Sequence, residues 1–178
     1  LQYDSVKFLN DLAISGSQTE QGFSISTQAG ETFSSKKLIF ATGIKDKLPD
    51  IKGFSECWGI SVIHCPYCHG YEFRNQKTGI FANAEKAYHL STLLHNLTDD
   101  ITMLSPGKAT FDSEQLAKLK KYNIRIVEKE IAEIEHEHGQ VKQVLFTDNS
   151  KMAFDAVYAS VAFEQHTDIP VSLGCELT

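Results

Sequence analysis

The sequence predicts an α/β chain with a parallel sheet and flanking helices. Residues 78–82, 101–104 and 124–127 are short apolar runs of strand length. Amphipathic helical patterns separate them, giving the order strand, helix, strand, helix, strand. That alternation is the signature of parallel strands joined by right-handed crossovers. With 178 residues, 42% hydrophobic and 22% charged, the chain has enough apolar material for a domain-sized core.

From the N-terminal side, residues 23–27 alternate as Phe-Ser-Ile-Ser-Thr, a half-buried strand. Gly30 marks a turn and Thr32-Phe33 begins a second strand. Residues 37–42 form a compact apolar run ending at Gly43 and read as a buried strand. Residues 45–53 are charged, carry Pro49 and Gly53, and read as a linker. After the strand at 78–82, Ala84, Ala87, Tyr88, Ser91, Leu94 and Leu97 share one helical face. The strand at 101–104 ends in Ser-Pro-Gly. Asp112 with Gln115 makes a capping box for a helix through Lys121, and residues 124–127 form the next strand. Residues 131–136 and 141–146 flank His138-Gly139 as a hairpin would, and residues 157–163 make a last apolar strand.

Composition excludes several functions. The net charge of −6 argues against a general nucleic-acid binder, and the basic stretch at residues 118–121 reads as a solvated helix face. No apolar run approaches the ~20 residues of a membrane span, and the first residues lack a signal-peptide pattern. A cytoplasmic protein is therefore expected, with no membrane and no nucleic-acid partner. Without an initiator Met, the sequence is expected to be an internal piece of a longer protein.

The densest chemistry is His64-Cys65-Pro66-Tyr67-Cys68-His69-Gly70. Two cysteines at this spacing can close a small disulfide ring, and such pairs have depressed thiol pKa values and exchange readily. An adjacent imidazole can carry the proton. Other readings compete. Cys-x-x-Cys-His is a c-type haem attachment pattern, with Met103 and Met152 as possible ligands. Zinc could use Cys65, Cys68 and a histidine, although no second pair is spaced for it. A glutaredoxin-type pair would lie near the N-terminus and open a long helix. Two inert buried cysteines complete the alternatives. Cys57 and Cys175 have no local partner and read as small hydrophobes.

Over residues 38–97 the chain resembles the low-molecular-weight thioredoxin reductases, within the FAD/NAD(P)-dependent pyridine nucleotide-disulfide oxidoreductases. Ile39-Phe40-Ala41-Thr42-Gly43 resembles the strand end that packs near FAD. Leu48-Pro49 through Gly53-Phe54 resembles the crossover into the pyridine-nucleotide domain. Cys65 to Gly70 matches the redox-active motif, in the Cys-Pro-Tyr-Cys-His-Gly branch that includes oxidases of dithiol natural products.

The resemblance implies a Rossmann-like, three-layer NAD(P)-binding-type domain over residues 47–161. Residues 1–46 would be a partial FAD-type domain, and residues 162–178 the start of the return to it. It implies a flavin-dependent disulfide oxidoreductase, acting as a homodimer on a small dithiol or disulfide or on a thioredoxin-like protein. Cys68 would face the flavin, Cys65 would be the interchange thiol, and His69 would take the place of the usual acidic proton-transfer residue. Ala41, Thr42 and Gly43 would border FAD. Gly79, Ala82, Asn83, Ala84 and Ala87 would border NADP.

Two departures bear on that cofactor set. The nucleotide turn reads Ala-x-Ala-x-x-Ala from Ala82, where glycines let the backbone approach a pyrophosphate, and Glu85 adds negative charge at the helix N-terminus. After Leu104, Ser105-Pro106-Gly107 supplies neither the basic cluster of an NADP protein nor the acid of an NAD protein. Weak nicotinamide binding is expected. A Rossmann-like scaffold or dimerisation module that has lost nicotinamide binding is the alternative function. The FAD fingerprint and the Gly-Asp segment of the family lie outside these residues. The stretch alone is therefore expected to hold FAD poorly and to be inactive.

The remaining candidates read as structural. His89 and His95 lie on or beside the predicted helix, and His136 and His138 flank the hairpin turn. Trp58, Tyr67 and Tyr71 could stack on a flavin or substrate but fit packing roles at a domain junction.

Overall fold

A computed structural model describes residues 3–82 and 84–177 of the chain. They fall into two compact units. One runs through Lys45 and resumes at Phe163; the other is Asp46–Ala162.

In the first unit, β1 (Ala13–Thr19), β2 (Gly22–Thr27) and β3 (Thr32–Ser35) form an antiparallel sheet in that order. The alternation at residues 23–27 is therefore a strand, with Ile25 opposite Gly16 on one side and Phe33 on the other. The apolar run at 37–42 is a correction to the sequence reading. It forms no strand, and Ile39 is 88% exposed. Apolar composition predicts burial, but a buried strand also needs ladder partners, and this run has none among the described residues. The presumed linker is also partly regular, since it holds β4 (Ile44–Lys47).

The second unit opens with α1 (Phe54–Cys57), β5 (Val62–Ile63) and α2 (Pro66–His69). It continues through β6 (Thr78–Phe81), α3 (Ala84–Leu94), β7 (Ile101–Ser105), α4 (Ser113–Lys121) and β8 (Arg125–Glu128). The capping box forms as expected: Gln115 N donates to Asp112 Oδ1 over 2.8 Å, and Asp112 N donates to Gln115 Oε1 over 3.1 Å. Lys118, Lys120 and Lys121 sit in the last turn of α4, where cations complement the helix dipole. Next come β9 (Ile131–Glu137), β10 (Gln140–Phe146) and β11 (Lys151–Ala153), an antiparallel meander, and then β12 (Ala156–Ala159). His138 (φ 51°) and Gly139 (φ 81°) make the tight turn between β9 and β10. The run read as one strand at 157–163 is split, because β13 (Ala162–Gln165) leaves β12 to pair with β4. A short α5 (Ile169–Ser172) follows.

The sheet of the second unit is five-stranded and parallel, in the order β5-β12-β6-β7-β8. Period-two alternation builds two cores on it. Ile63, Ile80, Ile101, Met103, Ala156 and Tyr158 join the core that includes Ala87 and Leu94 of α3 and Leu119 of α4. Val62, Leu104, Val157 and Ala159 face Ile134, Val144 and Phe146 of the meander, with Phe54 and Cys57 of α1. The layer on this second face is thus mainly antiparallel β rather than helix. Each large side chain buried here contributes about 1.5–3 kcal/mol by leaving water. Ser61 ties the layers together: its hydroxyl donates to the Gly139 carbonyl (2.6 Å) and accepts from Val141 N (2.9 Å). No described helix is long and apolar enough to cross a membrane.

Candidate active site

The run from Cys65 to Gly70 sits at the C-terminal end of β5. Cys65 is the extended residue that starts α2, and Pro66 occupies its first position, where a fixed φ and a missing N–H are no handicap. The helix lasts a single turn, closed by hydrogen bonds to the Cys65 carbonyl from Cys68 N (3.2 Å) and His69 N (3.3 Å). Gly70 N donates to the Pro66 carbonyl over 2.8 Å. A Cβ at Gly70 would collide with that carbonyl oxygen and with Leu97 Cδ1, so the residue after His69 has no room for a side chain.

This geometry brings Cys65 and Cys68 together, with their sulfurs 2.8 Å apart and the Cys68 thiol donating to Cys65. The contact makes them unequal. The hydrogen bond from Cys68, helped by backbone N–H groups, lowers the Cys65 pKa. Donating that bond raises the Cys68 pKa. Cys65 is half-buried, whereas Cys68 and His69 are exposed. The nearby aromatic residues divide. Tyr67 is 81% exposed, and Tyr71 is exposed under the Arg74 guanidinium, 3.9 Å from its ring centre. Trp58 is packing: it stacks on Phe54 and donates from Nε1 to Asp46 over 3.1 Å.

The residues of the nucleotide-type turn are placed less openly. Gly79 lies inside β6, where a Cβ would meet Leu104, Val157 and Phe154 of the core. Ala82 and Ala87 are buried. Asn83 lies outside the described residues, and Ala84 is the first residue of α3. Glu85 is exposed in the first turn of that helix. Beside this turn a groove of about 430 Å³ is lined by His64, Glu85, Lys86, His89, Leu90 and Ser160. Sequence reasoning placed His89 among structural or surface residues and did not find Ser160. The available signal was the rule that α/β sheets bind ligands outside the carboxyl ends of their strands.

Ala41, Thr42 and Gly43 belong to the other unit. With Phe40, Ile44, Gln165, Pro170, Cys175 and Leu177 they line a groove of about 490 Å³ that has no charged residue. Cys57 is fully buried, and burial raises its pKa. His95 stacks on Tyr122 at 3.9 Å, and His136 Nδ1 accepts from Gly139 N. Among the described residues no group of three or more His, Cys, Asp or Glu converges as a metal site would require.

No protein-family model matches the chain. Among curated proteins it is 34% identical over 120 residues to a thioredoxin reductase of Claviceps purpurea, covering 64% of this chain and 37% of that protein. It is 34% identical over 105 residues to a thioredoxin reductase of Aspergillus oryzae, covering 56% and 33%. The chain thus spans about a third of the length of these relatives. Among solved structures, an oxidoreductase from Agrobacterium tumefaciens superposes with a TM-score of 0.84 at 28% identity, covering 99% of this chain and 58% of its own. A putative thioredoxin reductase from Bacillus anthracis gives the same TM-score at 24% identity, covering 99% and 60%, which supports the fold.

Proposed function

We propose, for a chain whose curated and structural neighbours are thioredoxin-reductase-like oxidoreductases, that it carries the dithiol–disulfide centre of a flavin-dependent oxidoreductase. The observation that supports this most is the Cys65–Cys68 thiol contact on a single-turn helix, with the pKa of the first thiol lowered by the second.

The chemistry follows from that asymmetry. The Cys65 thiolate attacks one sulfur of a substrate disulfide, forms a mixed disulfide and releases the other sulfur as a thiolate. Cys68 then loses its proton and attacks the Cys65 sulfur, closing the ring and releasing the second substrate sulfur. Two electrons leave the cysteine pair, and both substrate sulfurs end as thiols. The reverse sequence oxidises a substrate dithiol. His69, exposed beside Cys68, takes up or returns the proton. The exposed Tyr67 leaves the turn accessible to a small dithiol or to a protein thiol.

The groove at Ala41, Thr42 and Gly43 suits the uncharged ring system of a flavin better than its phosphates, since no charged side chain lines it. A bound flavin would supply a two-electron carrier for dithiol–disulfide chemistry. The β6–α3 turn does not fit a nicotinamide dinucleotide. Ala82 fills the first glycine position with a buried side chain, and Glu85 puts an exposed carboxylate in the first turn of α3, where negative charge disfavours an anion.

Thiol mapping tests the reading. After equilibration with oxidised glutathione, mass spectrometry should find Cys65 joined to Cys68, while Cys57 and Cys175 are not joined to each other. In the reduced chain near neutral pH, iodoacetamide should label Cys65 before Cys68. Full alkylation of both Cys65 and Cys68 after oxidation would sink the proposal.

A further inference from the structure

A buried hydroxyl on β12, the ladder neighbour of β5, has no partner among the described residues. Tyr158 is 1% exposed, and its Oη makes no hydrogen bond among the described residues. Tyrosine hydroxyls that are buried ordinarily find a partner, because water has been removed and nothing replaces it. Tyr158 therefore calls for an explanation in terms of another state of the site.

Register fixes where the ring stands. In the parallel β5–β12 ladder Tyr158 lies opposite Ile63, two residues before Cys65. Both side chains enter the helix-side core, which also holds Phe73 and Leu97. Leu97 is the residue against which Gly70 closes the end of the redox turn. Neighbouring elements bring several titratable groups to this region: Cys65 ahead of α2, Cys68 and His69 on it, Glu72 after it, and Tyr88 on α3. Burial first, then the charges of Glu72 and Cys65, oppose ionisation of Tyr158 and push its pKa up to about 12. At neutral pH the group is an un-ionised phenol whose proton is available only for donation.

We propose that Tyr158 is a catalytic residue of the redox pair, whose hydroxyl donates to the Cys65 sulfur when that sulfur carries negative charge. The inference rests on the dithiol reading of Cys65 and Cys68. In the state described, the Cys65 sulfur already accepts from the Cys68 thiol. Once Cys68 gives up its proton or becomes engaged with substrate, that donor is gone, and the phenol takes its place. Tyr158 keeps its proton throughout. The electrons of the exchange stay with the sulfurs.

The test uses the full chain carrying Cys68→Ala, which isolates the Cys65 thiolate. Adding Tyr158→Phe should raise the Cys65 pKa by about half a unit to one unit, since one hydrogen bond to the charged form is lost. Iodoacetamide labelling of Cys65 near neutral pH should then slow by about 3- to 10-fold, the same shift read as a rate. Site-specific 3-fluorotyrosine at position 158, a stronger donor of nearly the same shape, should speed labelling. That arm holds even if the Phe chain folds poorly. A purely structural Tyr158 would change the urea midpoint and leave the rate–pH profile of Cys65 in place. Superimposable profiles for parent, Phe and fluorotyrosine chains overturn the proposal while the dithiol reading stands. Failure of the dithiol reading shows separately, as Cys65 and Cys68 remaining free thiols in the parent chain under oxidised glutathione.

Discussion

Gly70→Ala sets local propensity against packing, and the two predict opposite signs. Gly70 has ordinary helical angles (φ −66°, ψ −30°). On propensity alone, alanine should stabilise by about 0.5–1 kcal/mol. The added Cβ, however, would fall on the Pro66 carbonyl oxygen and on Leu97 Cδ1. The Leu97 methyl can rotate away. The Pro66 carbonyl cannot move without opening the 2.8 Å hydrogen bond from Gly70 N that closes the redox turn. Overpacking costs about 1–3 kcal/mol, and the lost hydrogen bond about 1 kcal/mol more. Against the propensity gain, the net is a destabilisation of about 1–3 kcal/mol, roughly 5- to 150-fold in the folding constant. With a urea slope of about 1–3 kcal/mol per molar, the midpoint should fall by about 1 M. Ring closure between Cys65 and Cys68 under oxidised glutathione should slow as well, because Cys68 rides on the turn that is pushed open. A Gly70→Ala chain as stable as the parent or more so, and oxidised at the parental rate, would refute the packing argument.

Two further outcomes follow. Ser61→Ala removes the partner of two buried backbone groups, the Gly139 carbonyl and Val141 N. It should therefore lower stability by about 2–4 kcal/mol, read as a drop in the urea midpoint with an unchanged slope. Acid should weaken the chain through the meander. The Glu135 carboxyl is held low by Gln143 and then Lys151, and the Asp148 carboxyl is held low by Lys129 and then Ser150. Because these folded pKa values lie below the unfolded ones, their stabilisation is present above about pH 5. It is lost as the pH falls through the depressed values. Urea midpoints at pH 7, 5 and 3 should fall in that order, with a shallower fall in a Lys129→Met/Lys151→Met chain; a midpoint that rises toward pH 3 contradicts the assignment.

The parts of the fold that were legible in the sequence are those whose periodicity is local. The β6-α3-β7-α4-β8 run follows from apolar spacing, α4 from its capping box, and the β9–β10 hairpin from His138-Gly139. β5 was not legible, because two residues, Val62 and Ile63, carry no period at all. Residues 37–42 misled because a run of apolar side chains records a need for burial and not the identity of the partner. The meander layer was missed as a layer because its pairing to α1 and the sheet is long-range. At the candidate site, Cys65, Cys68 and their neighbours announced themselves through spacing. Tyr158 did not, because one tyrosine in the run Ala-Val-Tyr-Ala reads as core until its hydroxyl is seen to lack a partner.

The strand order carries a consequence for how the chain is made. β5 leads straight into the redox turn, yet its ladder partner in the sheet is β12, with Val62 opposite Val157. A ribosome must therefore deliver the whole meander before that neighbour exists. β6, α3, β7, α4 and β8 can associate earlier from contacts close in sequence, whereas β5 must wait for a strand that slides between it and β6. Non-local pairing of this kind is slow. During the wait the two thiols hang on an unanchored segment, open to whatever oxidant or cysteine they meet. The nascent chain thus acquires reactive sulfur before it acquires the architecture that governs it.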